Sequence, residues 1–256
     1  MREKLTVLVP SFNEEGNIEG CLKGLTWADE ILVVDSYSTD RTVELARQYT
    51  DRVLQHEYVN SAAQKNWAIP LAAHQWVLVV DCDERVSPEL RQEIESVLAD
   101  PQGFDGFIIP RRNIFLGRPI RYCGWGPGDD TNVRLFKRDK GRYENKEVHA
   151  DVVVDGGRVG KLRSPFVHRS YRNISHYLEK IHRYTDWSAG DVVKKGKPVG
   201  ADKIILRPLA TFFRMYVLKL GFLDGFHGLV LCALSSYYVM LKYVKAWERL
   251  RLEKWE

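Results

Sequence analysis

Four consecutive residues, Asp81-Cys82-Asp83-Glu84, place three carboxylates directly after the apolar run WVLVV at 76–80. Crowded carboxylates repel one another and lose hydration when buried, so a structural partner or a cation must hold them. Mg²⁺ and Mn²⁺ bind a few carboxylate oxygens and take water and phosphate oxygens for their remaining positions. Asp81 and Asp83, two apart on a turn, therefore predict a divalent metal site that could also hold a diphosphate.

Three apolar runs, at 5–9, 31–34 and 76–80, predict strands that are buried on both faces, as in a parallel sheet. Helical patterns lie between them at 17–25, 39–49 and 61–73. A further helix is predicted to begin with Ser87 as N-cap and Pro88 in the first turn. This alternation predicts a doubly wound α/β domain.

Ligands of such domains bind beyond the carboxyl ends of the strands. Three polar segments fall at that edge: residues 10–14, Asp35-Ser36 and residues 81–83. Their convergence predicts one binding site, in which Asp35 could accept hydrogen bonds from a base or a ribose. Alternatively, Asp35 caps the following helix together with Ser36 and Ser38.

The middle of the chain has a different residue pattern. Residues 104–113 and 133–139 predict strands of a mixed region. Between them, the segment 117–130 carries four glycines and two prolines around Trp125. Loops of this kind often act as lids over a site, and the alternative is a plain surface loop.

Composition restricts the class of protein. The chain has 256 residues, of which 45% are hydrophobic and 28% charged, as in a globular protein with a core. A net charge of only +4 gives no reason to expect a nucleic-acid partner. The four cysteines are far apart and form no C-x-x-C pair, which predicts reduced thiols in a cytoplasmic protein. The N-terminus shows no signal-peptide pattern.

The C-terminal region, 201–256, is predicted to be helical and separate from a domain at 1–200. Its uncharged run after His227, residues 228–241, is fourteen residues long and short for a bilayer span. Basic residues alternate with aromatic and leucine positions: Arg207, Arg214, Lys219, Lys242, Lys245, Arg249 and Arg251. This pattern predicts amphipathic helices at a membrane surface. The alternative is a helical pair packed on the domain or in a dimer.

Three segments carry a family resemblance: VLVPSFNEEGNIEGCL at 7–22, ILVVDSYSTDRTVELA at 31–46 and WVLVVDCDERVSPEL at 76–90. In order and spacing they resemble the N-terminal half of family 2 glycosyltransferases of the GT-A fold. The segment VHADVVVDGGRVGKL at 148–162 resembles the bacterial lipopolysaccharide core β-glucosyltransferase branch. The resemblance implies a Rossmann-like, mostly parallel central sheet with helices on both faces.

The resemblance also implies roles for individual residues. Those implied to bind the donor are Pro10, Phe12 and Glu14 around the nucleotide, Asp35 at the base, Lys65 at base or phosphate, and Asp81 at ribose or metal-bound water. Asp83 is implied to ligate the metal, and His149 and His168 could each approach it. Trp125 and Arg134 match an acceptor or diphosphate loop.

The catalytic base is predicted from the segment around His149. Many relatives carry a carboxylate directly after this histidine, where the present sequence has Ala150. If the segment is a strand, Glu147 and Asp151 share one face with His149. Glu147 is the first choice for the base, Asp151 the second and Glu144 the third. Alternatively, these are ordinary charges on a strand surface.

The activity implied by the resemblance is an inverting, metal-dependent transfer of a sugar from a nucleotide-diphosphate donor. A UDP-hexose such as UDP-glucose is the expected donor. The expected acceptor is a lipopolysaccharide core or another lipid-linked glycan at the cytoplasmic face of the inner membrane.

Two alternative activities remain open. A nucleotidyltransferase is expected to carry a glycine-rich loop after the first strand, and residues 10–15 contain no glycine. A non-catalytic membrane-bound protein that binds a nucleotide or glycan is compatible with Ala150. The intact Asp35, Asp81 and Asp83 count against that second alternative.

Overall fold

The computed structural model describes residues 2–129, 131–144, 150–171, 173–196 and 198–252. The chain forms two compact units, one of residues 1–112 and 130–168 and the other of residues 113–129 and 169–256. This division differs from the predicted boundary after residue 200. The reason is that helical residues from 174 onward and the segment 113–129 share a hydrophobic core with the C-terminal helices.

The described residues form twelve strands. They are β1 (Leu5–Ser11), β2 (Glu30–Asp35), β3 (Val53–Gln55), β4 (Trp76–Val79), β5 (Glu84–Arg85), β6 (Gly106–Phe115), β7 (Arg118–Pro119), β8 (Thr131–Lys137), β9 (Gly141–Tyr143), β10 (Val152–Val154), β11 (Val159–Lys161) and β12 (Phe166–Tyr171).

Seven α-helices lie in the same residues. They are α1 (Ile18–Leu22), α2 (Thr42–Ala46), α3 (Ser61–Ala68), α4 (Pro88–Ala99), α5 (Ile174–Lys194), α6 (Arg207–Phe213) and α7 (Gly225–Leu252). Short 3₁₀ turns continue α1 to Leu25 and α3 to Leu71. Helical segments of π type flank α6 at Asp202–Leu206 and Arg214–Leu218.

The central sheet has the strand order β3-β2-β1-β4-β8-β6-β12-β5. The strands β3, β2, β1 and β4 are parallel, whereas β8 pairs antiparallel with both β4 and β6. Alternate residues of β1 enter different cores: Val7 and Val9 pack in the core that contains α1 and α4, and Leu8 packs in the core that contains α3. Helices therefore cover both faces of the sheet, and the predicted α/β class is confirmed.

Three of the sheet's parallel strands end at one edge, as predicted. β1 ends at Ser11, β2 at Asp35 and β4 at Val79. After the turn that follows β4, Ser87 caps α4 by accepting a hydrogen bond from the Leu90 backbone N–H at 3.2 Å. The predicted helix start at Ser87-Pro88 is thus present, and it places residues 81–83 between a buried strand and a capped helix.

The helix predicted over 39–49 is much shorter than expected. Side chains of the β1 and β2 loops bind backbone N–H groups of the residues before Thr42 and at Thr42 itself. Asn13 accepts from the Thr39 N–H at 2.8 Å, and Asp40 accepts from the Thr42 N–H at 2.9 Å. These bonds fix the segment before Thr42 as a turn that joins the two loops.

The C-terminal unit contains α5, α6, α7 and the loop after β7. Its core includes Tyr177 and Ile181 of α5 and Leu231 and Cys232 of α7. The helical stretch Gly221–Leu252 is long and apolar enough to cross a membrane. Its most apolar eighteen residues have a mean hydropathy of 1.2, and 22% of them are buried. It is longer than the uncharged run in the sequence because the helix continues through Lys242. Core helices of soluble proteins meet the same criteria of length and composition.

Candidate functional site

The turn after β4 is held in place by its own hydrogen bonds. The Asp81 N–H donates to Glu84 Oε2, and the Glu84 N–H donates to the Asp81 carbonyl, each at 2.9 Å. The Cys82 thiol donates to the Pro10 carbonyl at 3.3 Å. These contacts fix the acidic turn beside the end of β1 and hold two of its residues, Asp81 and Glu84, close together.

The Asp81 carboxylate lies among three cations. Its Oδ1 is 3.1 Å from Lys65 Nζ, and its Oδ2 is 3.1 Å from Arg111 Nη2 and 2.8 Å from Arg134 Nη2. Burial opposes ionisation of Asp81, but Arg134 and Lys65 outweigh it and hold the pKa well below its usual range. Asp81 therefore stays ionised and organises the cations around it.

Glu84 is the second anion of this cluster and is fully buried. Its Oε1 accepts 2.6 Å hydrogen bonds from Arg111 Nε and Arg134 Nη2. Burial raises the pKa of Glu84 to about 7, and the attraction of Arg134 offsets only part of this shift. We call these three cations and two carboxylates the cation cluster; with both carboxylates ionised, it carries one net positive charge.

Sequence reasoning missed both Arg111 and the role of Glu84. Arg111 on β6 and Arg134 on β8 lie on neighbouring antiparallel strands. Arg111 directly follows Pro110, which pairs with Thr131 of β8. The signal in the sequence is arginine within two largely apolar strands: Arg111 and Arg112 in IIPRRN, and Arg134 in NVRLF. Arg134 lies on β8, within the strand predicted at 133–139, and its implied match to an acceptor or diphosphate loop stays a prediction.

Lys65 reaches the cluster from α3. The helix begins with Asn60 as N-cap, whose side chain accepts from the Ala63 N–H at 2.8 Å. Burial lowers the pKa of Lys65, but Asp81 outweighs this effect and raises it. The ammonium group also lies 5.1 Å from the ring centroid of Tyr143. Lys65 is thus a buried, charged lysine at the carboxyl edge of the sheet.

The Asp83 carboxylate pairs with a histidine. Its Oδ1 is 3.3 Å from His168 Nε2, and both side chains are 16% exposed. His168 lies on β12 opposite Glu84 of β5. Burial lowers the pKa of His168, whereas the hydrogen bond to Asp83 raises it, so that the net shift is upward. The pair is accessible at the edge of the sheet.

The residues at this turn fit a hard divalent cation in part. A carboxylate is the donor that Mg²⁺ and Mn²⁺ prefer, and Asp83 supplies one beside the imidazole of His168. Within the described ranges, no group of three or more His, Cys, Asp or Glu side chains is arranged to hold a metal ion. A cation at Asp83 would therefore take further oxygens from water or a diphosphate, which is usual for Mg²⁺. Asp81 is engaged by cations, and His149 lies outside the described residues.

Asp35 is fully buried at the end of β2. Its Oδ2 accepts from the Ser38 N–H at 2.8 Å and from Gln55 Nε2 at 3.3 Å. Its Oδ1 accepts from Ser38 Oγ at 2.5 Å and from Ser11 Oγ at 3.1 Å. These bonds close the turn at residues 35–38. Asp35 does not cap α2, whose N-cap is Arg41, so the capping alternative is wrong, and a direct role at a nucleobase stays a prediction.

The loop after β1 presents an aromatic side chain to solvent. Phe12 is 50% exposed, and Tyr37 in the loop after β2 is 57% exposed. Glu14 is half-buried; its N–H donates to Thr42 Oγ1 and its Oε2 accepts from Asn17 Nδ2. Sequence reasoning did not single out Tyr37, although it occupies the same edge as Phe12 and the half-buried Pro10.

The predicted base segment is partly described. The Glu144 N–H donates to the Asp151 carbonyl at 2.9 Å, which brings the ends of the connection between β9 and β10 together. Asp151 is exposed and precedes β10, so the strand assumed for it begins at Val152 instead. Glu147 lies outside the described residues, and its role stays a prediction.

Trp125 belongs to the C-terminal unit. Its ring stacks on Tyr171 with a centroid distance of 6.1 Å, and its carbonyl accepts from Asn113 Nδ2 at 2.8 Å. The side chain is half-buried, and its predicted contact with an acceptor stays untested.

The chain resembles known proteins along nearly its whole length. It is 28% identical to the lipopolysaccharide core biosynthesis glycosyltransferase LpsC of Rhizobium meliloti over 97% of this chain and 94% of that protein. It is 27% identical to an uncharacterized glycosyltransferase of Rickettsia felis over 98% of this chain and 92% of that protein.

A solved structure shares the fold. The mannosyltransferase PcManGT from Pyrobaculum calidifontis, solved in complex with GDP-Man and Mn²⁺, superposes with a TM-score of 0.55 at 20% identity. The match covers 96% of this chain and 87% of that one. The family model for glycosyl transferase family 2 matches residues 6–154, which are more than half of the chain and contain the acidic turn and the cation cluster. The chain belongs to glycosyl transferase family 2.

Proposed function

We propose that the protein transfers a hexosyl group from a nucleotide-diphosphate sugar, with UDP-glucose the first donor to test, to a lipopolysaccharide core or another lipid-linked glycan. The observation that carries the proposal is the pairing of Asp83 with His168 beside the cation cluster at the carboxyl edge of the sheet. The relative from Rhizobium meliloti, which is named for lipopolysaccharide core biosynthesis, supports the acceptor class.

The donor's diphosphate would lie between the cation cluster and Asp83. The cluster attracts anions by its net positive charge, and its arginines are oriented in advance by Glu84. Asp83 and His168 would hold Mg²⁺ or Mn²⁺. When bound, this ion would neutralise negative charge on the departing diphosphate. The mannosyltransferase structure with GDP-Man and Mn²⁺ supports the choice of ion.

The acceptor hydroxyl would attack the anomeric carbon from the face opposite the nucleotide. The carbon–oxygen bond to the diphosphate breaks, and the nucleoside diphosphate leaves with that electron pair. A carboxylate takes the hydroxyl proton and must lie within hydrogen-bond reach of it. Glu147 is the proposed base, with Asp151 second and Glu144 third. The stereochemistry is inverted because the attack occurs once and from the opposite face.

Three isosteric variants identify the base: Glu147→Gln, Asp151→Asn and Glu144→Gln. We expect Glu147→Gln to lower kcat by about 10²–10⁴, because a general base contributes about that much, and to leave donor affinity unchanged. Single-turnover kinetics with saturating donor measure this step. A large loss in Asp151→Asn alone would move the base to that residue. Full activity in all three variants would reject a base from this segment.

The function is tested by incubating the protein, Mn²⁺ and each of several nucleotide sugars with a lipid-linked core acceptor. The expected result is a product one hexose heavier, together with one equivalent of nucleoside diphosphate. Release of pyrophosphate from a nucleoside triphosphate and a sugar phosphate would instead establish a nucleotidyltransferase. Absence of turnover with every donor and acceptor would support a binding protein.

A further inference from the structure

The helix that contains α6 has two apolar faces. Pro208 and Met215 are buried in the C-terminal unit. Four residues form a stripe in steps of three and four along the same helix, each between 40 and 62% exposed: Leu206, Leu209, Phe213 and Val217. Such steps keep side chains on one helical face, here the face away from Pro208 and Met215. A surface helix in water normally has polar residues on that face.

The turn between this helix and α7 continues the apolar surface. It carries four exposed residues: Leu220 at 42%, Phe222 at 46%, Leu223 at 53% and Phe226 at 74%. We call these four residues the tip. Asp224 lies between Leu223 and Phe226 of the tip, and its carboxylate accepts from the backbone N–H groups of Arg121 and Tyr122 at 3.1 and 2.9 Å. Its charge is thereby turned inward, and the outer surface of the tip is apolar.

The charges along the stripe are mostly positive, although the exposed Asp202 precedes it and Lys219 pairs with Asp129 at 2.7 Å. Residues 203–223 contain four basic residues and no acidic one: Lys203, Arg207, Arg214 and Lys219. Arg207 and Arg214 are both exposed and lie seven residues apart, two turns along the helix, so they flank the stripe on one side. An apolar surface bordered by arginine and lysine fits the boundary between acyl chains and anionic headgroups.

We infer that the stripe and the tip insert into one leaflet of an anionic lipid bilayer, with Arg207 and Arg214 at the level of the headgroups. The element that inserts is therefore the helix around α6 and its turn, and α7 does not span the bilayer. This surface is independent of the proposed sugar transfer.

Polar contacts along α7 support its place inside the unit. Lys245 and Arg249 form ion pairs with Asp186 of α5 at 2.9 and 3.0 Å, and the Tyr238 and Ser188 hydroxyls are 2.7 Å apart. A spanning helix would take these groups into hydrocarbon at high cost. A second copy of the chain is the other possible occupant. Two copies meeting through this surface would bring like charges together, which disfavours that arrangement.

Sedimentation of the full chain with vesicles tests the inference. We expect binding to vesicles of phosphatidylcholine mixed with phosphatidylglycerol, and weaker binding to phosphatidylcholine alone. The double variant Leu223→Ser, Phe226→Ser should reduce the partition coefficient at least about tenfold. The reason is that each of these apolar side chains contributes to the free energy of insertion when it leaves water. Arg214→Gln should weaken binding only to the anionic vesicles.

Matched controls keep the test specific. Val59→Ser removes an apolar side chain that is 70% exposed in the N-terminal unit, and Arg47→Gln removes an exposed positive charge there. Both should bind vesicles like the wild type. A second pair in the stripe, Leu209→Ser with Phe213→Ser, guards against a local folding defect at the tip. Wild-type sedimentation of the tip variant, or a change from dimer to monomer without vesicle binding, would overturn the inference.

Discussion

Replacing Asp83 by alanine is expected to lower kcat/KM for sugar transfer by roughly a thousandfold or more. Asp83 is a ligand of the divalent ion in the proposed site, and His168 lies 3.3 Å away. An ion that neutralises charge on a leaving group contributes several kcal/mol, and each 1.36 kcal/mol corresponds to a factor of ten. Steady-state rates over a range of Mn²⁺ concentrations measure the effect.

The matched control is Asp139→Ala, which removes an aspartate from the turn after β8. Its Oδ1 accepts from Gln75 Nε2 at 2.6 Å, away from the acidic turn. This variant should keep wild-type activity and the wild-type dependence on Mn²⁺. If Asp83→Ala retained full turnover at ordinary Mn²⁺ concentrations, Asp83 would not be a metal ligand of this enzyme.

The second large effect is on stability. Glu84→Gln is expected to lower the free energy of unfolding by about 1–3 kcal/mol, because it disrupts buried hydrogen bonds while Asp81 still pairs with both arginines. Glu84 is fully buried and accepts 2.6 Å hydrogen bonds from Arg111 and Arg134. Urea denaturation followed by circular dichroism measures the change, and a neutral glutamine cannot replace the ionic part of these bonds.

Glu95→Gln is the control for this experiment. Glu95 pairs with Arg91 on the surface of α4, where the two side chains are 32 and 48% exposed. Solvent screens such a pair, so the free energy of unfolding should change by less than about 1 kcal/mol. Equal effects of the two substitutions would mean that the buried cluster does not stabilise the turn.

The sheet and its functional edge were predictable because their signals are local. The runs at 5–9, 31–34 and 76–80 are continuous and apolar, as expected for strands buried on both faces, and each becomes a parallel strand. Strand direction then places Ser11, Asp35 and the acidic turn at one edge. The start of α4 was equally predictable, because Ser87 caps the helix by accepting from the nearby Leu90 N–H and Pro88 follows in the first turn.

The partners of the acidic turn were not predictable in the same way. Arg111 is 30 residues from Asp81 along the chain, and their contact depends on the pairing of β6 with β8. Glu84 looked like one more repelling carboxylate, yet its environment makes it the anchor of two arginines. Contacts of this kind depend on tertiary packing, for which one sequence has no local signal.

In the C-terminal unit, the exposed helix face was likewise not predictable from the sequence. The basic and aromatic pattern predicted amphipathic helices at a membrane surface, but it did not show which apolar residues, such as Phe213 and Phe226, would be exposed. Which face of a helix is covered depends on its neighbours. For α6, the face toward Pro208 and Met215 is buried in the unit's core, and the opposite face remains exposed.

The most direct test of the account is calorimetric titration of the wild-type protein with UDP and other nucleoside diphosphates, each with and without Mn²⁺. The account predicts that one nucleoside diphosphate, UDP first, binds at least about tenfold more tightly when Mn²⁺ is present, equivalent to about 1.4 kcal/mol. The increment should vanish in Asp83→Ala. Binding that is indifferent to Mn²⁺, or no binding of any nucleotide, would contradict a metal-dependent donor site at Asp81-Cys82-Asp83-Glu84.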